Sequence, residues 1–344
     1  MNKKTTLEEI AKAAGISIAT VDRVVNRRGG VSPKMEARVL EWANKLNLDR
    51  RIFRAHLPTL RIAVLIPSPA NPFFAAMRDA FNALDGVVSD IQLRLYHHFI
   101  NPAEHDSIAG KIDELRSQYD GIIICCPDEP AISDAIALAA GSIPVITLVT
   151  DLPNSGRLAY VGPDNRQIGR VAGELMGRFL GPAGGEVLVM IGDHRMVGHQ
   201  ERETGFRAVT RERFPNVMVL DIVESEEDSM RAARLAQQAV SNNPNICGIY
   251  NVSAGNYGIA QSLIKLGRTN DVIFITHELT QRRREMLRSG LLDAVIDQNP
   301  RMEARRAIEV LAGYFKRGDM MPVFDGPTPF EIFLRENVGS TGNW

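Results

Sequence analysis

Residues 6–26 read TLEEIAKAAGISIATVDRVVN, and this stretch predicts two short helices joined by a tight turn. Thr6 followed by Glu9 is the capping-box pattern of a helix start, and apolar residues then recur at the spacing of one helix face. Gly15 ends that helix, and Ser17 caps the second helix about three residues later. A helical hairpin with so short a turn is a helix-turn-helix unit.

The sequence continues with Ser32-Pro33, which predicts a third helix because proline suits the first helical position. This helix has one apolar stripe, formed by Met35, Val39, Trp42 and Leu46. The three helices predict a headpiece over residues 1–47, followed by a linker over residues 48–60.

The headpiece has the charge of a nucleic-acid-binding module. Residues 1–61 contain 13 Lys and Arg against 6 Asp and Glu, whereas the rest of the chain contains 27 against 35. The second helix leaves its N-terminal end free to enter a DNA major groove, where Arg23 is the candidate for a bidentate guanine contact. The other candidate DNA contacts from the residues alone are Thr6, Ser17, Thr20, Asn26, Arg27, Arg28 and Lys34, with Arg50, Arg51 and Arg54 in the linker. The alternative is a helical docking domain with a solvated basic face.

From Leu60 onward, short apolar runs alternate with amphipathic stretches. This order predicts parallel sheets with helices on both faces, and the runs are too many for one sheet, so we expect two lobes. The main strand predictions are 61–66, 91–96, 121–125, 145–149, 187–191, 217–223, 247–250, 272–276 and 294–297. Ligands of such folds bind beyond the carboxyl ends of the strands. The first such loop, 67–74, places Asn71 before Phe73 and Phe74; these side chains are either core or the wall of a sugar site, since aromatic rings pack on C–H faces and amides bond hydroxyls.

Several other chemistries are not expected. The sequence has neither a Gly-x-Gly-x-x-Gly motif after the first strand nor a Gly-x-Ser-x-Gly elbow, so a dinucleotide enzyme and a hydrolase are disfavoured. The loop 192–199 contains two histidines and an aspartate but lacks the register of a helical zinc site. We therefore expect no metal and no cofactor. Cys125, Cys126 and Cys247 are expected to be free thiols. Arg282–Arg284 are expected to form a solvated helix face, with a dimer contact as the alternative.

The N-terminus has no apolar stretch after its basic residues, and no run approaches 18 apolar residues. These observations predict a cytoplasmic protein with no membrane partner.

Residues 6–26 together with Val31-Ser32-Pro33 resemble the headpiece of the lac repressor (LacI/GalR) family. The resemblance implies a homodimeric transcriptional regulator that binds operator double-stranded DNA. It places the major-groove readers on Ile18, Ala19 and Arg23. It also implies that the linker folds on the operator as a hinge helix with Leu57 as its minor-groove leucine; the alternative is a flexible basic tether. Asp22 departs from the family pattern, and a carboxylate near phosphates weakens binding unless Arg23 or a cytosine amino group offsets it.

The body resembles ribose-type periplasmic binding proteins as far as about residue 335. The likeness is carried by residues 62–66 with 71–74, 142–148, 162–165, 201–206 and 297–300. It implies an α/β fold: a three-helix helix-turn-helix headpiece on a two-lobed, type I periplasmic-binding-protein-like domain with parallel sheets. The bounds implied are 61–338 for this domain (lobe 1 about 61–161 and 294–324, lobe 2 about 162–293 and 325–338) and 339–344 for a tail.

The same resemblance implies a set of ligand contacts. Asn71, Phe73 and Phe74 would form the wall of the first lobe, Arg202 would fork two ligand oxygens, and Gln298 would bond a hydroxyl. Asn251 or Asn256 would supply an amide. His277 with Glu278, and Val149 with Asp151 two residues later, replace aspartates of the ribose-type proteins, and Asp128 completes the expected set. If His277 touches the ligand, affinity is expected to vary near pH 6.5.

Together these features predict a regulator, a repressor by the commoner family behaviour, whose operator affinity is controlled by a sugar or polyol bound between two lobes. The alternatives are a solute-binding receptor of a transport system and a sugar-acting enzyme.

Overall fold

The computed structural model describes residues 5–26, 28–46, 48, 59–85, 92–315 and 326–339. The chain divides into two compact units, one over residues 1–60 and 85–94 and the other over residues 61–84 and 95–344. Within the described ranges, no helix is both long enough and apolar enough to cross a membrane.

The N-terminal helices are α1 (Leu7–Ala14), α2 (Ile18–Val25) and α3 (Pro33–Lys45). The capping box at the start of α1 is present: the Thr6 hydroxyl accepts from the Glu9 backbone N–H, and the Glu9 carboxylate accepts from the Thr6 N–H. Gly15 follows α1 in the left-handed conformation, at a φ of 66°, so the chain can turn at once towards Ser17, the cap of α2. The predicted helix-turn-helix is confirmed.

The inward faces of the three helices form one apolar core together with Leu48, which follows α3. The helix residues of this core are Ile10, Ala11, Val21, Val24, Val39 and Ala43. The predicted stripe of α3 is correct in part. Val39 is fully buried and Trp42 and Leu46 pack half-buried on the core, but Met35 is 49% exposed. Met35 lies in the first turn of α3, before the part of the helix that packs on the core.

The first sheet of the body has the order β2-β1-β3-β4-β5. Its strands are β1 (Leu60–Pro67), β2 (Leu93–Ile100), β3 (Gly121–Ile124), β4 (Val145–Leu148) and β5 (Ala159–Val161). The pairs β1–β3, β3–β4 and β4–β5 are parallel. β3 and β4 are buried along their whole length, which is why β3 is an unbroken apolar run and β4 has Thr147 as its one polar residue. We call this sheet and its helices the first lobe; they are α4 (Pro72–Leu84), α5 (His105–Leu115) and α6 (Pro130–Ala140).

The second sheet has the order β12-β11-β10-β9-β6-β7, with β8 also paired to β6. Its strands are β6 (Gly185–Ile191), β7 (Val217–Val219), β8 (Val223–Glu224), β9 (Ile246–Asn251), β10 (Ile273–His277), β11 (Ala294–Asp297) and β12 (Glu331–Phe333). Among the described pairs only β11–β12 is antiparallel. With α7 (Asn165–Leu180), α8 (Val197–Arg213), α9 (Ser229–Asn242), α10 (Asn256–Lys265) and α11 (Gln281–Arg288), this sheet forms the second lobe. After β11, α12 (Pro300–Tyr314) packs against α4 of the first lobe.

Three sequence predictions need correction. Residues 294–297 were assigned to the first lobe but form β11 beside β10 in the second sheet, because the chain leaves that sheet only after Asp297. The single strand predicted over 217–223 is two short strands, β7 and β8, separated where the chain leaves the ladder. The three-residue strand β5 was not predicted, since so short an edge strand has no apolar run of its own.

Candidate ligand cleft and nucleic-acid interface

A cavity of about 310 Å³ lies between the two lobes, at the small end of the roughly 300–1,000 Å³ that is usual for ligand pockets. It is lined by the loops that follow β1, β2 and β4 in the first lobe and β6, β8, β9, β10 and β11 in the second, together with the start of α8. The cavity therefore lies beyond the carboxyl ends of the strands, where the sequence analysis expected a ligand.

The first lobe contributes the predicted wall of Asn71, Phe73 and Phe74 to this cavity. The two rings meet edge to face with their centroids 5.0 Å apart. The Asn71 side-chain oxygen accepts from the Phe73 backbone N–H at 3.0 Å, which fixes the loop at the start of α4. Among the described contacts the Asn71 amide nitrogen has no protein partner, so it is available to a ligand oxygen.

Arg202 of α8 is the central cation of the cavity and is only 3% exposed. Its Nε donates to the side-chain oxygen of Asn165 at 2.8 Å, and its Nη2 donates to that of Gln298 at 3.0 Å. Its Nη1 lies 3.7 Å from Oε1 of Glu278. The structure thus brings together three predicted ligand residues, Arg202, Glu278 and Gln298, and holds the guanidinium in one orientation.

Glu278 is buried and is held from two sides. Arg283 donates to the Glu278 backbone carbonyl at 2.9 Å and lies 3.4 Å from its carboxylate, and Gln298 donates to that carboxylate at 3.2 Å. Glu278 itself follows β10 with a φ of 56°, a left-handed backbone that turns the chain here. Burial raises the pKa of Glu278 and lowers the pKa of Arg283, although each charge favours the other.

Three ionisable side chains of the cavity were not among the predicted ligand residues. Arg283, expected on a solvated face, is only 7% exposed, because α11 turns this one arginine of its triplet inward. Glu227 and His199 also line the cavity, and their side chains lie 3.7 Å apart. Ser253 donates to Glu227 at 2.8 Å. The available signal for Glu227 was its position just after a β-strand.

Burial sets the protonation of this pair. It lowers the pKa of His199 to about 4, with the nearby Arg202 charge acting in the same direction. It also raises the pKa of Glu227, against the hydrogen bond from Ser253. His199 is therefore a neutral imidazole near pH 7, able to accept or donate one hydrogen bond to a ligand.

Two predicted ligand residues of the first lobe lie outside the cavity lining. Asp151 instead binds Arg157, which is near in sequence, and accepts from the Thr147 hydroxyl at 2.9 Å. Asp128 is exposed, and its carboxylate accepts from Ser133 at 3.1 Å. Val149 does line the cavity, so no carboxylate replaces the aspartate of ribose-type proteins at this point.

Three predicted residues of the second lobe also face away from the cavity. Asn251 donates to Asn256 at 2.7 Å, and both amides are used to fix the loop between β9 and α10. His277 is 1% exposed, and its Nε2 lies 2.8 Å from the Tyr250 hydroxyl. Burial lowers the pKa of His277 well below its usual value, so this residue does not titrate near pH 6.5.

The loop after β6 contains a group of potential metal ligands. Asp193, His194 and Glu224 each offer one atom within 4.8 Å of the others. These side chains already have partners within the protein, however. Arg195 binds the Asp193 carboxylate at 2.7 Å, and the His194 ring lies 3.1 Å from Glu224. In this structure the three side chains are held by hydrogen bonds and ion pairs with other residues of the protein.

The second helix of the N-terminal unit presents an exposed surface suited to DNA. Ile18, which is 49% exposed, lies with Ala19 and Arg23 on the outer side of α2, while Val21 and Val24 are buried. Thr6, Ser17, Asn26, Arg28 and Lys34 are also exposed, and Thr20 is half-buried. Arg27, Arg50, Arg51, Arg54 and Leu57 lie outside the described residues.

The unusual Asp22 is neutralised within the headpiece. Arg28 donates to its carboxylate at 2.9 Å, and Asn26 donates to it at 2.6 Å. Of the partners considered from the sequence, Arg23 makes no contact with this carboxylate among the described residues, and Arg28 takes that place. Asp22 and Arg28 form a partly exposed pair, which leaves Arg23 free of the carboxylate.

The geometry defines a class of protein: a helix-turn-helix module on the same chain as a two-lobed ligand-binding domain. Residues 62–319 match the family model described as periplasmic binding protein domain, and residues 6–49 match that of bacterial regulatory proteins, lacI family. The chain belongs to the lacI family of bacterial regulatory proteins, which are regulators rather than enzymes, and its effector domain is of the periplasmic-binding-protein type.

Individual relatives agree with this assignment. The D-allose-binding periplasmic protein of Escherichia coli is 24% identical over 291 residues, covering 77% of this chain and 88% of the relative. The ribose operon repressor of Halalkalibacterium halodurans is 27% identical over 258 residues, covering 72% and 71%. An ABC transporter solute-binding protein of Burkholderia graminis, solved in complex with D-arabinose, superposes with a TM-score of 0.74 at 22% identity, covering 83% of this chain and 98% of that chain.

Proposed function

We propose that this lacI-family regulator is a homodimeric repressor whose operator affinity is set by a neutral sugar or polyol bound in the cleft. The observation that carries the proposal is the pairing of two features on one chain. One is an exposed reading helix with Arg23 on its outer side, and the other is a cleft in which Arg202, Glu278 and Gln298 face an aromatic wall.

The chemistry of the cleft favours an uncharged, hydroxyl-bearing ligand. Arg202 and Arg283 both pair with Glu278, and Glu227 is a second carboxylate in the same cavity, so a ligand with a strong net charge would upset this balance. Hydroxyls can both donate to the carboxylates and accept from the guanidinium groups, while the rings of Phe73 and Phe74 accept a C–H face. The relatives, which include a D-allose-binding protein and a ribose operon repressor, support the same ligand class.

Control of DNA binding then follows from linkage. If effector binding stabilises one arrangement of the lobes, it changes the geometry between the two bodies of a dimer, and with it the spacing of the headpieces. DNA and effector must change each other's affinity by the same factor. Release of the operator on effector binding makes the protein a repressor relieved by its ligand.

The test is fluorescence anisotropy of the full chain on duplex DNA from upstream of its own gene and on a scrambled duplex of equal length. Titrations are made at two salt concentrations, with and without a panel of sugars and polyols. The proposal expects tight binding to the native duplex, weakened by at least one compound. Equal, salt-sensitive binding to both duplexes that no compound alters would contradict it.

A further inference from the structure

The two sides of the cleft differ in chemistry. All ionisable side chains that the described residues contribute to the cavity come from the second lobe; they are His199, Arg202, Glu227, Glu278 and Arg283. The first lobe contributes none. A bound ligand therefore meets ionisable side chains on the second-lobe side only.

The polar groups of the first-lobe wall are largely used within the protein. Asn101 accepts from the Ala103 backbone N–H at 3.2 Å and donates to Glu104 at 2.9 Å, so both ends of its amide are engaged. The Thr150 hydroxyl accepts from the Gly198 N–H at 3.0 Å. The Asn71 amide nitrogen and the hydroxyl hydrogens of Ser68 and Thr150 remain as donors, and among the described residues no carboxylate side chain lines the cavity from this side.

The rest of the first-lobe wall is apolar and consists of Pro67, Ala70, Phe73, Phe74, Ile100, Pro102 and Val149. A ligand hydroxyl that points into such a wall loses its water and finds few acceptors, so it costs affinity. A methyl or methylene group in the same place gains affinity from burial. The wall thus discriminates against a ligand that is hydroxylated all round.

Resting on the proposed function, we propose that the effector is an amphipathic polyol: a sugar in which a methyl or alkyl group replaces a hydroxyl or caps it, as in a deoxy sugar or an alkyl glycoside. Its hydroxyls bind the second lobe, and its alkyl group packs on the first-lobe wall. Val149 determines this preference, because it occupies the wall directly after β4.

A substitution of Val149 tests this preference for an alkyl group directly. Its φ is 67°, a conformation that asparagine adopts far more readily than a β-branched residue, so Val149→Asn suits the backbone and adds an acceptor to the wall. The matched control is Leu138→Asn on α6, a 56% exposed position of the same lobe that does not line the cavity.

The experiment is calorimetric titration of the full chain with matched sugar pairs: L-fucose against L-galactose, L-rhamnose against L-mannose, and methyl α-D-glucopyranoside against D-glucose. Unsubstituted pentoses, hexoses and hexitols complete the panel. We expect the tightest ligand to carry the alkyl group and to bind at least about tenfold tighter than its hydroxylated partner. Val149→Asn should reduce this preference at least about fivefold, and Leu138→Asn should leave it unchanged.

The outcomes separate this inference from the function on which it rests. If an unsubstituted polyol binds as tightly as any alkyl-bearing one, or if Val149→Asn leaves the preference unchanged, the inference is overturned while the regulator with a polyol effector stands. If no sugar or polyol in the panel binds, both fail.

Discussion

Nε of Arg202 donates a 2.8 Å hydrogen bond to the side-chain oxygen of Asn165. The nitrogen of the same Asn165 amide donates to the backbone carbonyl of Val149 at 3.1 Å. Arg202 and Asn165 belong to the second lobe and Val149 to the first, so one buried amide ties the cavity's central cation to the end of β4. A ligand that binds Arg202 is thereby connected to the segment where the chain passes from one lobe to the other.

Arg202→Lys is expected to weaken effector binding by about 10–100-fold, because lysine keeps the charge but loses the fork of charge-assisted hydrogen bonds. The affinity for operator DNA without effector should stay within about twofold, since the headpiece is unchanged. Calorimetry for the effector and anisotropy for DNA measure the two quantities.

The matched control is Arg213→Lys near the end of the same helix, where the arginine is 59% exposed and pairs with Glu174. It should change neither quantity. If Arg202→Lys binds effector as tightly as the original protein, Arg202 does not contact the ligand.

Arg195 joins the two lobes at the edge of the cleft. Its Nη1 lies 2.9 Å from Nε2 of His105 in the first lobe, and its backbone carbonyl accepts from the Asp128 N–H at 2.9 Å. Arg195→Gln removes the guanidinium contact and is expected to weaken effector binding by about three- to tenfold, mainly through faster dissociation. Stopped-flow measurement of the dissociation rate checks this.

The control for this prediction is Arg178→Gln, which removes a 68% exposed arginine from a surface ion pair. An Arg195→Gln protein with the original dissociation rate would show that the contact between the lobes contributes nothing to effector retention.

His199 makes stability depend on pH in a stated direction. Its folded-state pKa of about 4 lies below the 6.5 of an unfolded chain, so the unfolded chain binds more protons between these values. The His199 contribution is complete above pH 6.5 and is lost as the pH falls towards 4, by up to about 3 kcal/mol. Denaturant unfolding at several pH values should therefore show a shallower pH dependence in His199→Gln.

His194→Gln is the comparison, because the His194 side chain is 63% exposed. In His194→Gln, the slope of the unfolding free energy against pH between 6.5 and 4 should be nearly that of the original protein. Equal slopes in all three proteins would mean that His199 is protonated to the same extent in the folded and unfolded states.

Two substitutions in the headpiece distinguish a contact with a base from a contact with a phosphate. Arg23→Ala is expected to cost about 1–3 kcal/mol of discrimination at one base pair. Lys34→Gln should instead weaken binding to all duplexes alike and reduce the salt slope by about one. Binding to a set of single-base operator variants at two salt concentrations distinguishes these results. Uniform weakening by Arg23→Ala would show that Arg23 contacts phosphate and reads no base.

The fold could be predicted well because its signals are local. The capping pair of Thr6 and Glu9, the glycine at position 15, and the apolar run of β3 each indicate a structure formed by residues that are neighbours in sequence. The error at residues 294–297 has a different origin. Which sheet a strand joins depends on where the chain crosses from one lobe to the other. An apolar run carries no information about that crossing point.

The cavity was predicted only in part, for a related reason. Asn71, Phe73, Phe74, Arg202, Glu278 and Gln298 line it as expected. Asp151 does not, because Arg157 six residues later captures its carboxylate, and His277 does not, because the strand turns it towards Tyr250. Arg283 was missed since nothing in three consecutive arginines says which one the helix buries.

The most direct test of the central claim is reciprocal linkage in one protein. Operator affinity is measured with and without the effector, and effector affinity with and without the operator duplex. A regulator controlled through its cleft must give the same factor in both experiments, about 5–150-fold, and Arg202→Lys must bring the DNA-side factor close to one at the same effector concentration. An effector that binds the cleft with the same affinity whether or not operator DNA is present would contradict the account.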